Sequence, residues 1–439
     1  MNIEHRNSSK MASPSPFFDK SALLLMLTVL MIMMPTSVDG TLMEAPKFVL
    51  YGHALIVVSL FPRFDKEKLR IAGLCLILMV FFTIISRGYV SGITQFVPLL
   101  SLCLILSIDY KQVRIDEKVL SFWLVAFLTV LLGLGYLALF KVANVTSYLV
   151  KYYAFGYERL AENMYSRGKP ILFFISHAIA AIAYTIIFFV TVFWGRYTKK
   201  SGFYLLAVLI IPLIVAQTSN TSYLSLFLIY LYVFLLLDKK YKVLYLVCTA
   251  VVLYSFRTNI SELGLSVEFF MGNSNNGFLS RYDGERGVYG SSMRQIVDSP
   301  LVGTGLVFDE GQYSADSGPL NDLLRGGVFY FLLMRYLLYL TIFKCTKERK
   351  LAVMVVIAFL VMEIAYAFSL SLRGPVMMLL VVLYLSHIYQ SNEESTPPRA
   401  RLADLDRVRL DQPKPTPSRV APGPVIEARS GSRNQHRSA

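Results

Sequence analysis

Long apolar runs separated by short polar clusters set the pattern of this chain. Most runs are about 15 to 22 residues long, and about 20 apolar residues cross a bilayer as an α-helix. The pattern therefore predicts an all-α, polytopic membrane protein with about twelve membrane-spanning helices. The predicted spans are residues 20–36, 47–62, 71–86, 89–107, 119–140, 170–194, 203–217, 222–237, 243–256, 327–343, 351–371 and 374–390.

Composition supports the membrane class and excludes several others. Hydrophobic residues make up 55% of the chain and charged residues only 16%, as expected when most side chains face lipid or a helix bundle. The four cysteines lie in or at the ends of apolar runs, which predicts neither a disulfide framework nor a thiolate metal site. They are Cys75, Cys103, Cys248 and Cys345.

Positive charge predicts the orientation of the chain in its membrane. The formal net charge is +14, but the basic residues cluster at helix ends and in the C-terminal tail, so nucleic acid is not an expected partner. Alternate loops are short and rich in lysine and arginine, which places them and both termini in the cytoplasm. The predicted cytoplasmic loops are residues 63–70, 111–118, 196–200, 239–242 and 344–350.

The chain is expected to divide into a membrane domain and a tail. Residues 1–390 hold all the predicted spans, with two long outer loops at residues 141–169 and 257–326. Residues 391–439 are rich in proline, arginine and serine and poor in apolar side chains, so they are predicted to form a disordered cytoplasmic tail. Anionic membrane lipids are a weak partner for such a basic tail.

The first outer loop carries an excess of positive charge at the predicted membrane surface. Tyrosines and lysines there are typical of interfacial anchoring by an amphipathic helix. An anion site for a lipid pyrophosphate is the other interpretation, because cationic side chains bind phosphate through charge-assisted hydrogen bonds. The loop has five basic residues, Lys141, Lys151, Arg159, Arg167 and Lys169, against Glu158 and Glu162.

The second outer loop uses arginine alone as its basic residue. No lysine occurs in residues 243–343, and arginine offers a planar fork that suits bidentate contacts to phosphate. A solvated loop with ordinary salt bridges is the simpler interpretation, but it leaves the exclusion of lysine to chance. Many carboxylates share the loop, and such groups bind sugar hydroxyls or act as general bases. The arginines are Arg257, Arg281, Arg286, Arg294 and Arg325.

Two stretches, "MRQIVDSPLVGTGLVFDEG" and "DSGPLNDLLRGGVFYFLLMRYLLYL", resemble the outer loop and following helix of Wzy-type polysaccharide polymerases and of their O-antigen ligase relatives. The resemblance covers about 60 residues and rests on four short elements in order along the chain. They are an arginine before Ser-Pro (Arg294), a Pro-x-x-Gly-x-Gly turn (Pro300, Gly303, Gly305), an Asp-Ser-Gly element (Asp316, Ser317, Gly318) and an Arg-Gly-Gly element (Arg325, Gly326, Gly327).

This resemblance implies a GT-C-like glycosyltransferase in the bacterial inner membrane that acts at the periplasmic face without metal or other cofactor. Its donor is expected to be an undecaprenyl-pyrophosphate-linked glycan, transferred with inversion onto a second lipid-linked repeat unit. A chain-length regulator and a flippase are the implied protein partners. An O-antigen ligase and a lipid-linked oligosaccharide flippase are the alternative functions; a transporter is expected to show repeated halves, which this sequence lacks.

Site residues follow from the resemblance and from the charge inventory. A pyrophosphate leaving group needs cations, and an acceptor hydroxyl needs a base. The candidate pyrophosphate ligands are Arg281, Arg286 and Arg294, then Arg325 at the start of the tenth span, with Arg159 and Arg167 from the first loop. The candidate catalytic bases are Asp316 first, then Asp322 and Glu310.

An arginine and a glutamate lie deep within two of the predicted spans. Arg335 and Glu363 fall near the middle of the tenth and eleventh spans, where an isolated charge is costly. We therefore predict that they pair. A pair that fixes helix register and a pair that takes part in catalysis both remain open.

Overall fold

A computed structural model of the chain is helical, and no strand occurs among the residues that it describes. These are residues 20–34, 64–87, 93–153, 158–174, 176–217, 220–237, 239–255, 290–298, 300–306, 317–346, 348–365 and 374–394. Four helices are long and apolar enough to cross a membrane, namely Lys66–Ile85, Glu117–Leu139, His177–Thr198 and Gly318–Cys345. The all-α class is therefore confirmed for the described residues, and four of their helices are candidate membrane spans. The number of spans stays a prediction, and the predicted span 47–62 lies outside the described residues.

The described part of the chain forms fourteen α-helices. In chain order they are α1 (Lys20–Met33), α2 (Lys66–Arg87), α3 (Ile93–Ser107), α4 (Glu117–Leu139), α5 (Ala143–Tyr153), α6 (Glu158–Tyr165), α7 (His177–Thr198), α8 (Gly202–Val215), α9 (Asn220–Leu236), α10 (Lys239–Ser255), α11 (Gly290–Asp298), α12 (Gly318–Cys345), α13 (Arg349–Ala365) and α14 (Gly374–Glu394). The chain divides into two compact units, residues 1–391 and 392–439, and the contacts described below lie within the first. The predicted tail lies outside the described residues from residue 395 onward.

Helix α7 is the most enclosed of the long helices. It packs against α8, α9 and α13 and is buried over most of its length. The indole of Trp194 packs edge-on against Tyr384 of α14, with ring centroids 5.2 Å apart, and donates a hydrogen bond to Ser121 Oγ of α4 at 3.0 Å. Aromatic residues with satisfied polar atoms thus join three helices at the centre of the bundle.

The start of α7 differs from the predicted span, which placed it at residue 170. Ser176 caps the helix, since its hydroxyl accepts a hydrogen bond from the N–H of Ile179 at 3.3 Å. A serine at this position satisfies one of the N–H groups that a helix start leaves open. The preceding apolar residues belong to a connecting loop, which hydropathy alone does not separate from the helix.

Large apolar side chains remain exposed on the outer faces of several helices. Ile77 on α2, Leu205 on α8 and Val243 on α10 are all exposed. A soluble protein rarely exposes such surface over long helices, whereas hydrocarbon is its natural surrounding in a bilayer. This exposure agrees with the membrane class.

One end of α12 is fixed to the start of α2 by charged groups. Lys344 Nζ lies 3.0 Å from Asp65 Oδ2 and 2.6 Å from Glu67 Oε2. Asp65 also caps α2, because its Oδ1 accepts hydrogen bonds from the N–H groups of Glu67 at 3.0 Å and Lys68 at 3.1 Å. Burial acts to raise the pKa of Asp65, but the hydrogen bonds from Lys68 and Lys344 outweigh it and hold that pKa below its ordinary value.

The Asp65→Asn variant is expected to separate the charge of this contact from its capping role. Asparagine also caps a helix, so the variant keeps the cap and loses only the ion pair. We expect its free energy of unfolding at pH 7 to be about 1 kcal/mol lower than that of the wild type. Because the folded pKa lies below the unfolded value of about 3.9, the stabilisation is complete above that value and disappears as the pH falls through the folded pKa. Thermal unfolding in detergent at pH 7 and at acid pH measures the difference; an equal difference at both pH values contradicts this account.

Candidate functional site

The site is built around a break in α12. Gly327 has φ 64° and ψ −172°, a conformation essentially restricted to glycine. It divides the helix into residues 318–326 and residues 328–345, and the second part is about 27 Å long at 1.5 Å per residue. The sequence predicted a span that begins at residue 327. The structure adds a helical segment before it, within the predicted outer loop 257–326.

Backbone hydrogen bonds from residues 300–306 satisfy the groups that the break leaves open. The N–H groups of Thr304 and Gly305 donate to the carbonyl oxygens of Leu324 and Arg325, at 2.7 and 2.8 Å. On the other side of the break, the N–H of Val328 donates to the carbonyl oxygen of Pro300 at 3.0 Å. A helix end otherwise exposes unpaired carbonyl and N–H groups, so this short segment acts as a cap for both halves.

Close contact between the two backbones explains why glycines occupy this segment. A Cβ atom on Gly303 would overlap the carbonyl group of Arg325, and one on Gly327 would overlap the carbonyl of Leu301. Both neighbours are backbone atoms, which cannot move aside without breaking the hydrogen bonds. The Pro-x-x-Gly-x-Gly and Arg-Gly-Gly elements, separated in sequence, are therefore two sides of one packed junction.

The same segment is attached to α2. The N–H of Leu306 donates to Thr83 Oγ1 at 3.0 Å, and that hydroxyl donates in turn to the carbonyl of Met79 at 2.7 Å. Three parts of the chain thus meet at the break: the end of α2, residues 300–306 and the two halves of α12.

The bend brings Asp322 and Arg335 together across the break. Arg335 Nη2 lies 2.8 Å from Asp322 Oδ2, although the residues are 13 positions apart. In a straight helix they would be separated by about 20 Å, beyond the joint reach of their side chains. Arg335 Nη1 also lies 2.8 Å from Glu363 Oε1 of α13. The structure thus brings together the predicted pair of Arg335 and Glu363 and adds Asp322 to it.

This group of charges is almost wholly shielded. The side chains of Arg335, Asp322 and Glu363 are 7%, 1% and 2% exposed. Arg325, itself 4% exposed, lies within electrostatic range of Asp322. The group thus contains two guanidinium groups and two carboxylates, and this balance of charge offsets part of the cost of burying them. The guanidinium of Arg335 also lies over the ring of Phe331, 4.9 Å from its centroid.

A cleft of about 230 Å³ opens beside the break. It lies between α11, which packs against α12, and the end of α2. Most of its lining is aliphatic, which favours a hydrocarbon ligand over a sugar. The lining residues are Ile85, Gln295, Ile296, Val302, Gly303, Thr304, Leu323 and Leu324.

Three of the predicted site residues are neighbours in sequence of this lining. Arg294 precedes Gln295 on α11 and is exposed. Asp322 and Arg325 flank Leu323 and Leu324, but their side chains are buried. The carboxylate of Asp322 is engaged there by the guanidinium of Arg335. Its position fits support of the bend better than general base catalysis.

The remaining predicted residues are distributed differently. Arg167 is exposed and lies 3.7 Å from Glu162, while Arg159 belongs to α6. Within the described ranges, no three histidine, cysteine or acidic residues gather in a way that could hold a metal ion. Four predicted residues lie outside the described part of the chain, namely Arg281, Arg286, Glu310 and Asp316.

Sequence reasoning missed the break, the helical segment before it and the contact between Asp322 and Arg335. Adjacent glycines at an otherwise helical position are a signal for such a break, and Gly326 and Gly327 provided it. No local sequence pattern indicated that Asp322 pairs with Arg335, because this contact depends on the angle between the two halves of α12.

Comparison with known proteins adds no relative. No protein-family model, curated protein or solved structure matches this chain.

Replacing Gly303 by alanine is expected to disrupt the junction. The added methyl group overlaps the backbone of Arg325, so we expect a loss of about 2 to 3 kcal/mol in the free energy of unfolding. Gly133→Ala is the matched control, because nothing lies within 4 Å of a Cβ at that position on α4. Thermal unfolding of the detergent-solubilised variants tests this, and equal stability of the two variants would refute the close contact.

Removing the guanidinium of Arg335 is expected to leave two carboxylates buried without their shared cation. Arg335→Met should therefore reduce the free energy of unfolding by about 3 to 5 kcal/mol. Adding Asp322→Asn and Glu363→Gln in the same chain should recover much of that loss, since the uncompensated charges are gone. The measurement is unfolding of the single and triple variants side by side. A triple variant no more stable than the single one would show that charge balance is not what Arg335 supplies.

Proposed function

We propose that the protein polymerises lipid-linked oligosaccharide repeat units into a bacterial surface or secreted polysaccharide, at the outer face of the inner membrane. One observation carries the proposal. The two elements that resemble polymerases, residues 300–305 and 325–327, lie against each other, and a backbone hydrogen bond joins Gly305 to Arg325. An apolar cleft lies beside them, lined in part by residues 302–304 and by Leu323 and Leu324. This contact supports reading the two elements as parts of one site.

The proposed reaction joins two lipid-linked glycans. The acceptor hydroxyl oxygen attacks the anomeric carbon of the donor sugar, the bond from that carbon to the pyrophosphate oxygen breaks, and the hydroxyl proton passes to a carboxylate. Undecaprenyl pyrophosphate leaves with the bonding electrons. Arginines that contact the leaving group stabilise it more as its charge develops. Arg281, Arg286 and Arg294 are proposed for that role.

The general base remains a proposal on sequence alone. Asp316 and Glu310 are the candidates that we retain, because Asp322 binds Arg335 inside the bundle. A single carboxylate is sufficient for an inverting attack, which needs no covalent intermediate on the protein.

The cleft fits the lipid part of such a substrate. Its volume of about 230 Å³ is smaller than that of sites that enclose whole drug-sized ligands, which have about 300 to 1,000 Å³. It therefore suits one segment of a long polyprenyl chain, with the remainder in the bilayer. Arg294 is exposed beside the lining residue Gln295, and we propose that it contacts the phosphate at the end of that chain.

A transporter of lipid-linked glycan is the second candidate, since transporters bind substrate at discontinuous helices near the midplane. The break at Gly327 makes α12 a discontinuous helix of this kind. However, residues 328–345 extend for about 27 Å, close to the thickness of the hydrocarbon core of about 30 Å. The break therefore belongs near one membrane face, which supports surface chemistry more than transport. A ligase would use the same donor with a different acceptor, and a chain-length regulator and a flippase are the proposed partners.

An elongation assay tests this function. Purified protein incubated with undecaprenyl-pyrophosphate repeat units is expected to produce a ladder of longer lipid-linked chains. Ile296→Trp places a larger side chain in the cleft and should reduce the rate of elongation at least about tenfold. A tenfold reduction corresponds to a loss of about 1.4 kcal/mol in the binding of the lipid. Val297→Trp on the same helix is the control, because Val297 is exposed and does not line the cleft.

The products distinguish the candidate functions. A ladder supports the polymerase, whereas a single transfer to another acceptor indicates a ligase. Movement of the lipid-linked unit across the bilayer without a new glycosidic bond indicates a transporter. Equal elongation by the two tryptophan variants would remove the cleft from the proposed site.

A further inference from the structure

The loop between α6 and α7 holds one lysine in a fixed position. The N–H of Lys169 donates to the carbonyl of Asn163 at 3.1 Å. The carbonyl of the next residue, Pro170, accepts from the hydroxyl of Tyr184 at 2.6 Å and from Gln217 Nε2 at 2.9 Å. The backbone around Lys169 is thereby tied to α6, to α7 and to the residues that follow α8.

Strained backbone surrounds the same lysine. Gly168 has φ 62° and Leu172 has φ 54°, so left-handed residues lie on both sides of it. Lys141, with φ 55°, donates from its Nζ to the carbonyl of Ser166 at 2.9 Å. Such conformations are uncommon for residues other than glycine and collect at ligand-binding and active sites. The loop is therefore a rigid, costly piece of structure.

The side chain of Lys169 is only 5% exposed. Among the described residues, none accepts a hydrogen bond from its ammonium or pairs with it. Glu162, on the preceding helix, lies instead against Arg167. Burial, and then the charge of Arg167, lower the pKa of Lys169. Lysine is seldom covered to this degree, so its ammonium is partly desolvated and an anion beside it would offset that cost.

Interfacial anchoring does not account for this arrangement. A lysine that anchors a helix at the membrane surface extends its ammonium into water. Lys151 on α5 fits that role, since it is exposed and its Nζ lies 5.6 Å from the centroid of the Tyr152 ring. Lys169 differs from it in burial and in the strain of its loop, although both belong to the same basic region.

We propose that Lys169 is the central contact of a phosphate-binding site, with Arg167 and Lys141 at its edge. Each lysine has three donors and arginine has five, which suits the several oxygens of a phosphate or pyrophosphate group. The ligand class is a phosphate oxyanion at the membrane surface. Its identification as the pyrophosphate of a lipid-linked glycan rests on the proposed function, but the presence of an anion site does not.

Direct binding of inorganic pyrophosphate tests the site. The full chain is placed in nanodiscs of zwitterionic phosphatidylcholine and titrated calorimetrically. Lys169→Met is expected to weaken binding tenfold or more, which corresponds to about 1.4 kcal/mol. Lys151→Met removes an equal charge from the same region and should bind within about twofold of wild type, about 0.4 kcal/mol. Thermal unfolding should show that Lys169→Met is folded, because the change removes a buried charge and keeps a similar length.

Two results would overturn the proposal. Equal pyrophosphate affinity of wild type and Lys169→Met excludes the contact, and equal losses in Lys169→Met and Lys151→Met indicate a diffuse charge effect. Lys169→Arg retains the charge and is expected to bind more tightly than Lys169→Met, which separates electrostatics from a change in shape.

The source of the phosphate is read from a second set of nanodiscs that contain anionic phosphatidylglycerol. If phosphatidylglycerol weakens pyrophosphate binding to the wild type but not the residual binding to Lys169→Met, a lipid headgroup occupies the site. If binding is unchanged, the site prefers the pyrophosphate group itself. Pyrophosphate binding with no elongation of lipid-linked repeat units would retain the anion site and reject the polymerase function, so the two proposals fail separately.

Discussion

The hydrogen bonds between residues 300–306 and the broken helix α12 are the interaction on which the site depends. An unpaired backbone group in or near hydrocarbon costs several kcal/mol, so a helix cannot turn at Gly327 by itself. The N–H groups of Thr304 and Gly305 and the carbonyl of Pro300 supply the missing partners. Because the two backbones must touch to form these bonds, glycine is required at the points of contact. The cleft beside the junction is a consequence of the same packing.

The bend also determines the electrostatics of the bundle. Turning the first half of α12 brings Asp322 to Arg335, which already meets Glu363 of α13. Buried ion pairs contribute little net stability, but breaking one is costly. The network therefore acts mainly to select one angle between the halves and one register between α12 and α13. Asp322, a predicted base, is ion-paired with Arg335 there, and Arg325, a predicted phosphate ligand, is buried.

Two basic regions then have different physical characters. Arg294 stands exposed beside an apolar cleft, where its charge is available to a ligand that also carries a hydrocarbon chain. Lys169 is covered within a strained loop, where an anion would offset the partial desolvation of its ammonium. A lipid-linked pyrophosphate combines an apolar chain with an oxyanion, and it is the class of molecule that would use both kinds of contact. In each case the supporting backbone is fixed by hydrogen bonds before any ligand binds.

The sequence by itself determined the helical membrane class, because the length of apolar runs must match the thickness of a bilayer. It also predicted the pairing of Arg335 with Glu363, since a lone charge at that depth needs a partner. Only the tertiary structure decided that Gly327 breaks α12, that Asp322 joins the pair and that Lys169 is buried while Lys151 is exposed. These features depend on angles between elements and on contacts across long separations, and neither periodicity nor composition contains that information.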